Sequence, residues 1–159
     1  MQNKNLKPIV LYSSRSGNTE KIAKEIASEI NCPCIKISKD FNSSTVNLRD
    51  CDLVFLGTGI YGAEPNAKLI NFLNEMNLKQ IVNFALFITW FGRGTSDKVV
   101  YDRVKAIVES KGHRLLKNYY SCLFEGSIII ARLIFPNSRD HPTSEDLCNA
   151  RKWARELIG

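Results

Sequence analysis

Between the apolar run Pro8-Ile-Val-Leu-Tyr12 and a stretch where Ile22, Ala23, Ile26, Ala27 and Ile30 recur at helical spacing, the chain reads Ser13-Ser14-Arg15-Ser16-Gly17-Asn18-Thr19-Glu20. Hydroxyls at Ser14, Ser16 and Thr19, together with the backbone N–H groups that Gly17 and a helix start leave free, suit a phosphate dianion. Arg15 adds positive charge. The same residue types also make an ordinary helix cap, but so dense a run of hydroxyls is more than one cap needs. In this loop no Lys follows the glycine, as a nucleoside triphosphate would require, and the loop itself has no Gly-x-Gly-x-x-Gly. A single monophosphate is the expected ligand group.

Two more loops carry binding chemistry. Gly57-Thr-Gly-Ile-Tyr-Gly-Ala-Glu-Pro65 follows the apolar run Asp52–Leu56, and Thr89-Trp-Phe-Gly-Arg-Gly94 follows a run beginning near Ile81. Each combines glycines with an aromatic residue. Gly59, Gly62 and Tyr61 would equally make a tight turn over a helix end, and Trp90 equally suits a core.

Short β-type runs alternate with amphipathic helices along the whole chain, the pattern of a parallel sheet covered on both faces. Strands are expected at Pro8–Tyr12, Cys34–Ile37, Asp52–Gly57, Ile81–Thr89 and Leu115–Phe124. About four helices are expected. The first carries the Ile22 stripe, and the second is entered at Pro65 with Leu69, Ile70, Phe72 and Leu73 on its apolar face. The third starts at a Ser96 N-cap, buries Val99, Val100, Val104, Ile107 and Val108, and ends at Gly112. The last begins at Pro142-Thr143, with Glu145 and Asp146 in its first turn, where the helix dipole favours them. The stretch Ser127–Phe135 is apolar enough for a strand, a short helix or a flap and is left unassigned. The whole is read as one α/β domain over 1–159, a three-layer, doubly wound, five-stranded parallel sheet. In such sheets ligands bind beyond the carboxyl ends of the strands, where all three loops lie.

With the first loop set directly after Ile9-Val-Leu-Tyr12, Ser14-x-Ser16-Gly17-Asn18-Thr19 resembles the FMN-phosphate loop of the flavodoxin family. That resemblance implies the strand order 2-1-3-4-5 and FMN as the cofactor. Its phosphate would be held by Ser14, Arg15, Ser16, Gly17, Asn18 and Thr19. The second loop (Thr58, Gly59, Ile60, Tyr61, Gly62) would cover one face of the isoalloxazine ring, with Tyr61 stacked and a carbonyl near Gly62 accepting the N5 proton. The third (Thr89, Trp90, Phe91, Gly92, Arg93, Gly94) would cover the other face with Trp90 or Phe91. Its backbone amides near Gly92 and Gly94 would meet O2 and O4. His141-Pro142 resembles a family ending that reads Gly-His-Pro, with Asp140 in place of the glycine, and His141 is read as structural. A receiver domain of the same architecture is excluded, since it needs acidic residues where Ser13 and Ser14 stand and an Asp where Gly57 and Thr58 stand.

The resemblance implies an electron carrier whose flavin accepts one and then two electrons. The alternative on this fold is an FMN-dependent quinone reductase or a protoporphyrinogen-oxidase-like enzyme, with the Ser127–Phe135 stretch as its flap. A flavin-free interaction module is the third class. No nucleophile and base pair up in the sequence, so no catalytic side chain is assigned. The five cysteines, Cys32, Cys34, Cys51, Cys122 and Cys148, have neither the spacing nor the histidine neighbours of a metal site and are read as reduced, structural thiols.

The 159 residues carry 22 Lys plus Arg against 16 Asp plus Glu, a formal charge of +6. The densest basic run, Lys98 to Lys117, is interleaved with Asp102 and Glu109 and reads as a solvated helix face, so no nucleic-acid partner is expected. No apolar stretch reaches the roughly 18 residues of a membrane span, and no signal-like segment follows Met1–Pro8, so a cytoplasmic location is expected. Flavodoxins that this chain resembles are usually acidic. A basic one is expected to dock redox partners through an acidic face on the partner.

Overall fold

The computed structural model describes residues 6–41, 46–124, 129–134, 136 and 140–159. Twelve elements follow one another among them: β1 (Pro8–Tyr12), α1 (Asn18–Glu29), β2 (Cys34–Lys36), β3 (Leu53–Tyr61), β4 (Glu64–Pro65), α2 (Ala67–Glu75), β5 (Asn83–Trp90), α3 (Ser96–Ser110), β6 (Arg114–Leu115), β7 (Tyr120–Leu123), α4 (Ile129–Ile134) and α5 (Ser144–Ile158). The parallel strands lie in the order β2-β1-β3-β5-β6, with β7 also against β5. Taken as one interrupted strand, β6 and β7 complete the expected doubly wound order. None of the described helices is long and apolar enough to cross a membrane.

The sheet has apolar side chains on both faces, and successive residues feed opposite layers. Val10, Tyr12, Phe55, Ala85 and Phe87 pack under α1 and α5 with Ile22, Ile26, Ala150, Trp153 and Ala154. Ile9, Leu11, Val54, Leu56, Phe84, Leu86 and Ile88 pack under α2 and α3 with Leu69, Phe72, Leu73, Val100, Val104 and Val108. On α3 the buried stripe is Val100, Tyr101, Val104 and Val108, whereas Val99 is 50% exposed. The expected stripe was therefore out of phase at its first member, because the i, i+4 row through Val100 faces the sheet. Ser96 is the first helical residue and Thr95 the N-cap.

The fifth strand departs from the single run Leu115–Phe124. Phe84 pairs with Leu115 and Phe87 with Tyr120, so five steps along the edge match three along β5. The two surplus residues cannot join the ladder. The carbonyls freed there accept from side chains instead: Leu116 O from the Tyr101 hydroxyl at 3.2 Å, and Asn118 O from Trp153 Nε1 at 3.2 Å. Ser127, Ile128 and Phe135 of the unassigned stretch lie outside the described residues. Within it α4 is a fifth helix, on which Ile129, Leu133 and Ile134 are more than 60% exposed.

Before α5, Thr143 and Asp146 form a capping box, with Thr143 Oγ1 accepting from Asp146 N and Asp146 Oδ2 accepting from Thr143 N. His141 Nδ1–H also donates to Asp146 Oδ2, at 2.5 Å. Burial pushes the Asp146 carboxyl up, but the bonds from Thr143 N–H, His141 and the Thr143 hydroxyl outweigh it and hold the pKa below the ordinary value. A depressed carboxylate pKa gives stability that is present above the unfolded-state pKa and is lost as pH falls through the folded-state one. Asp146→Ala is accordingly expected to cost about 1–2 kcal/mol near neutral pH. In denaturation experiments at a series of pH values, that gap should close below the ordinary carboxylate range.

Candidate functional site

β1, β3 and β5 are neighbours in the sheet, so the chain leaving their carboxyl ends opens at one place. Two buried hydrogen bonds lock the three segments together. Ser13 N donates to Gly57 O at 2.9 Å, and the Thr19 and Thr89 hydroxyls meet at 2.8 Å across 70 residues. Thr19 and Thr89 are 2% and 1% exposed, so their hydroxyls position the first turn of α1 against the end of β5.

The first loop turns into α1 at Gly17, the N-cap, with φ 88° and ψ −7°. That left-handed conformation costs an L side chain about 1–2 kcal/mol and glycine almost nothing. Gly17 N donates to Ser14 Oγ at 3.0 Å and Asn18 Nδ2 to Ser16 Oγ at 3.1 Å. Ser14, Ser16, Gly17, Asn18 and Arg15 thus stand together at a helix N-terminus, with Arg15 and Ser16 exposed. Glu20, the acidic residue nearest the loop, is held by Lys24 at 2.8 Å and Lys36 at 3.3 Å. The Lys24 bond above all keeps its pKa low, against the effect of burial. Its negative charge is therefore balanced locally.

The second segment is not a loop from Gly57 onward. β3 continues through Thr58, Gly59 and Ile60 to Tyr61, because β5 pairs with it as far as Gly59 against Thr89. It then reverses into β4, with Tyr61 opposite Glu64 and Ile60 opposite Pro65. Gly62 (φ 62°) and Ala63 (φ 65°) form the two-residue turn, the left-handed pair that such hairpins require. Pro65 is consequently a strand residue, and α2 is capped by Asn66, whose side chain accepts from Lys68 N. Thr58 is fully buried, and its hydroxyl accepts from Asn66 N at 2.9 Å and donates to Gly59 O at 2.9 Å. Tyr61 folds back over Gly59, where a Cβ would lie 2.7 Å from the Tyr61 hydroxyl. Arg15 N donates to that hydroxyl at 3.3 Å, and the Arg15 guanidinium lies 4.4 Å from the ring centroid.

In the third segment Thr89 and Trp90 are the last residues of β5, so the loop itself starts at Phe91. Trp90 is half-buried against the α2/α3 core layer. Phe91 packs against Phe124 with centroids 4.5 Å apart. Gly92 and Gly94 both have positive φ, and Arg93 is exposed with its carbonyl accepting from Ser96 Oγ at 3.0 Å.

The structure therefore brings the three expected segments to one end of the sheet. The roles of Ser13 and Asn66 were missed by sequence reasoning. Asn66 carries a readable signal, an N-cap residue just before the Leu69 stripe, but its bond to Thr58 does not. Two cavities of about 380 and 690 Å³ lie elsewhere, against Glu75–Leu78 beyond α2. Lys111 Nζ reaches the Asn74 and Met76 carbonyls there, and its charge is spent on the C-terminal end of α2.

Residues 9–135 match the model of a family described as the flavodoxin domain. An uncharacterized protein of Methanocaldococcus jannaschii, MJ0298, is 28% identical over 156 residues, which cover 96% of this chain and 99% of that protein. Oxidised flavodoxin 1 of Bacillus cereus superposes with a TM-score of 0.70 at 18% identity, over 95% of this chain and 96% of that one. A flavoprotein of Lactobacillus acidophilus, solved in complex with FMN, superposes with a TM-score of 0.57 at 19% identity, over 73% of this chain and 92% of that one. At these identities the two structural likenesses are likenesses of fold.

Proposed function

The chain belongs to the flavodoxin domain family, and from that premise we propose that it binds FMN at the carboxyl end of the sheet and carries electrons between partner proteins. The observation that carries this reading is the joining of three adjacent strand ends by the Ser13–Gly57 and Thr19–Thr89 bonds around a helix N-terminus. A test for fit lies in the glycines. At Gly17, Gly62 and Gly94, one in each segment, no heavy atom stands within 4 Å of the place a Cβ would take. Each segment thus offers bare, approachable backbone.

In this reading Ser14, Ser16, Asn18 and the N–H groups around Gly17 hold the phosphate, and Arg15 balances its charge. Thr19 and Thr89 keep the loop in register. The Gly62 peptide and the amides at Gly92 and Gly94 supply polar contacts to the ring, with Tyr61 on one side and Trp90 or Phe91 on the other. The flavin supplies the electron chemistry, and the chain supplies orientation and electrostatics. Adding FMN to micromolar flavin-stripped protein should quench the flavin fluorescence, and unquenched flavin would rule the reading out. Saturable turnover of a quinone would instead identify an enzyme.

Arg93 sits beside the proposed ring edge, and a cation there stabilises negative charge on the fully reduced flavin. Removing it should lower the midpoint of the second one-electron step by about 20–40 mV, the scale of one solvent-screened unit charge. A potentiometric titration of Arg93→Ala beside the parent protein checks this, and equal midpoints would place Arg93 away from the ring. The formal charge of +6 favours a partner with an acidic face, so association should slow as salt rises.

A further inference from the structure

The two residues assigned to different parts of the flavin, Arg15 to the phosphate and Tyr61 to the ring, hold each other. The backbone N–H of Arg15 is one of the donors of the phosphate loop, and it is spent on the Tyr61 hydroxyl at 3.3 Å. The guanidinium of the same residue lies over the Tyr61 ring, 4.4 Å from its centroid. The ring itself is folded back over Gly59, where a Cβ would lie 2.7 Å from the Tyr61 hydroxyl. The hydroxyl thus stands where an anionic oxygen would accept from the loop, and the guanidinium stands where a flat ring would stack.

We propose that Arg15 and Tyr61 form a clasp between the phosphate and ring subsites, released when a phosphate group takes over both partners of Tyr61, which makes Arg15 a specificity-determining residue for phosphorylated over unphosphorylated flavin. This rests on the FMN reading of the site. A phosphate oxygen replaces the hydroxyl as acceptor of the Arg15 N–H, and the guanidinium exchanges an aromatic face for a dianion, a stronger partner. Tyr61 is then free to turn from Gly59 toward the ring subsite. Riboflavin has the ring but no phosphate, so it must break the clasp with nothing to offer Arg15. One exposed cation–π contact and one hydrogen bond bias the closed arrangement by about tenfold, and that is the penalty riboflavin meets.

The test compares FMN and riboflavin on the full chain stripped of flavin, for the parent protein, Arg15→Ala and Arg15→Lys. In Arg15→Ala, FMN should bind about tenfold more weakly, because the charged phosphate contact it loses is stronger than the guanidinium–ring contact it no longer has to open. Riboflavin, relieved of that ring contact with nothing lost in return, should bind several-fold more tightly even though the backbone N–H bond to Tyr61 remains. Arg15→Lys keeps charge for the phosphate but stacks less well, and should fall between the two. A second readout needs no flavin. Inorganic phosphate titrated into the stripped protein should shift the ring resonance of Tyr61, assigned by its loss in Tyr61→Phe, and should shift it clearly less in Arg15→Ala, where only the backbone N–H of residue 15 is left to be taken over. Riboflavin and FMN weakening together in Arg15→Ala, or a Tyr61 resonance indifferent to phosphate in the parent protein, would overturn the clasp. Failure of the parent protein to bind FMN would overturn the flavin reading instead, and the phosphate titration would still decide the clasp.

Discussion

Gly57→Ala is expected to destabilise the protein by about 3 kcal/mol, the upper range for overpacking a core. A Cβ at Gly57 would lie 2.2 Å from Phe87 Cζ, 2.4 Å from Phe87 Cε2 and 2.9 Å from Tyr12 Cβ. Real carbon atoms do not approach so closely, and neither neighbour has room to retreat. Phe87 is fully buried on β5 directly opposite Gly57, and Tyr12 is 5% exposed on β1 on the other side. The glycine is there because a phenyl ring lies across the strand. Equilibrium denaturation with urea measures the loss, and the Phe87→Leu background separates its cause. If the ring is the obstacle, the same glycine substitution costs clearly less once Phe87 is shortened, giving a coupling between the sites. Equal costs in both backgrounds would assign the loss to the contact with Tyr12 on the other side.

Ser14→Asp is expected to abolish tight FMN binding while leaving the fold intact or slightly firmer. The Ser14 hydroxyl accepts from Gly17 N at 3.0 Å, beside the first turn of α1. A carboxylate there can accept the same bond, and near a helix N-terminus it gains about 0.3–1 kcal/mol from the dipole. It would also stand where the phosphate is proposed to lie. Two unit charges 4 Å apart repel by about 4 kcal/mol at an effective dielectric constant of 20, so a loss of at least about 100-fold in FMN affinity is expected even after screening. Titration calorimetry with FMN, beside a thermal melt of the same variant, reads both effects. Undiminished FMN affinity would move the phosphate away from this loop.

The parts of this molecule that could be read from sequence are those settled by neighbouring residues. β1 and the turn at Gly17 are local: an unbroken apolar run, hydroxyls, a glycine and a helical stripe decide them together. The second segment is different. Gly57-Thr-Gly59 has the composition of a loop, yet it is strand, because β5 offers it a ladder up to Thr89 and pairing outweighs the weak strand preference of glycine. The break between β6 and β7 depends on a count of residues across two strands, and no single segment carries that count. The contacts that build the site, Thr19 with Thr89 and Thr58 with Asn66, join hydroxyls and amides whose types suit a ligand equally well. Nor does the sequence disclose that Arg15 lies on Tyr61, 46 residues away.

The packing of α5 bears on the order in which the chain can be completed. Trp153 stands edge-on to Phe55 with centroids 5.5 Å apart, and Arg151 and Arg155 pair with Glu25 and Glu29 of α1. A ribosome makes these partners more than 90 residues apart, so this layer of the sheet has α1 alone as its cover until α5 emerges. The α2/α3 layer closes earlier, since its helices lie within the sequence of the strands they cover. Synthesis therefore passes through a half-covered sheet in which Phe55 lacks the Trp153 ring, the stage at which a nascent chain of this topology is most prone to associate with another copy.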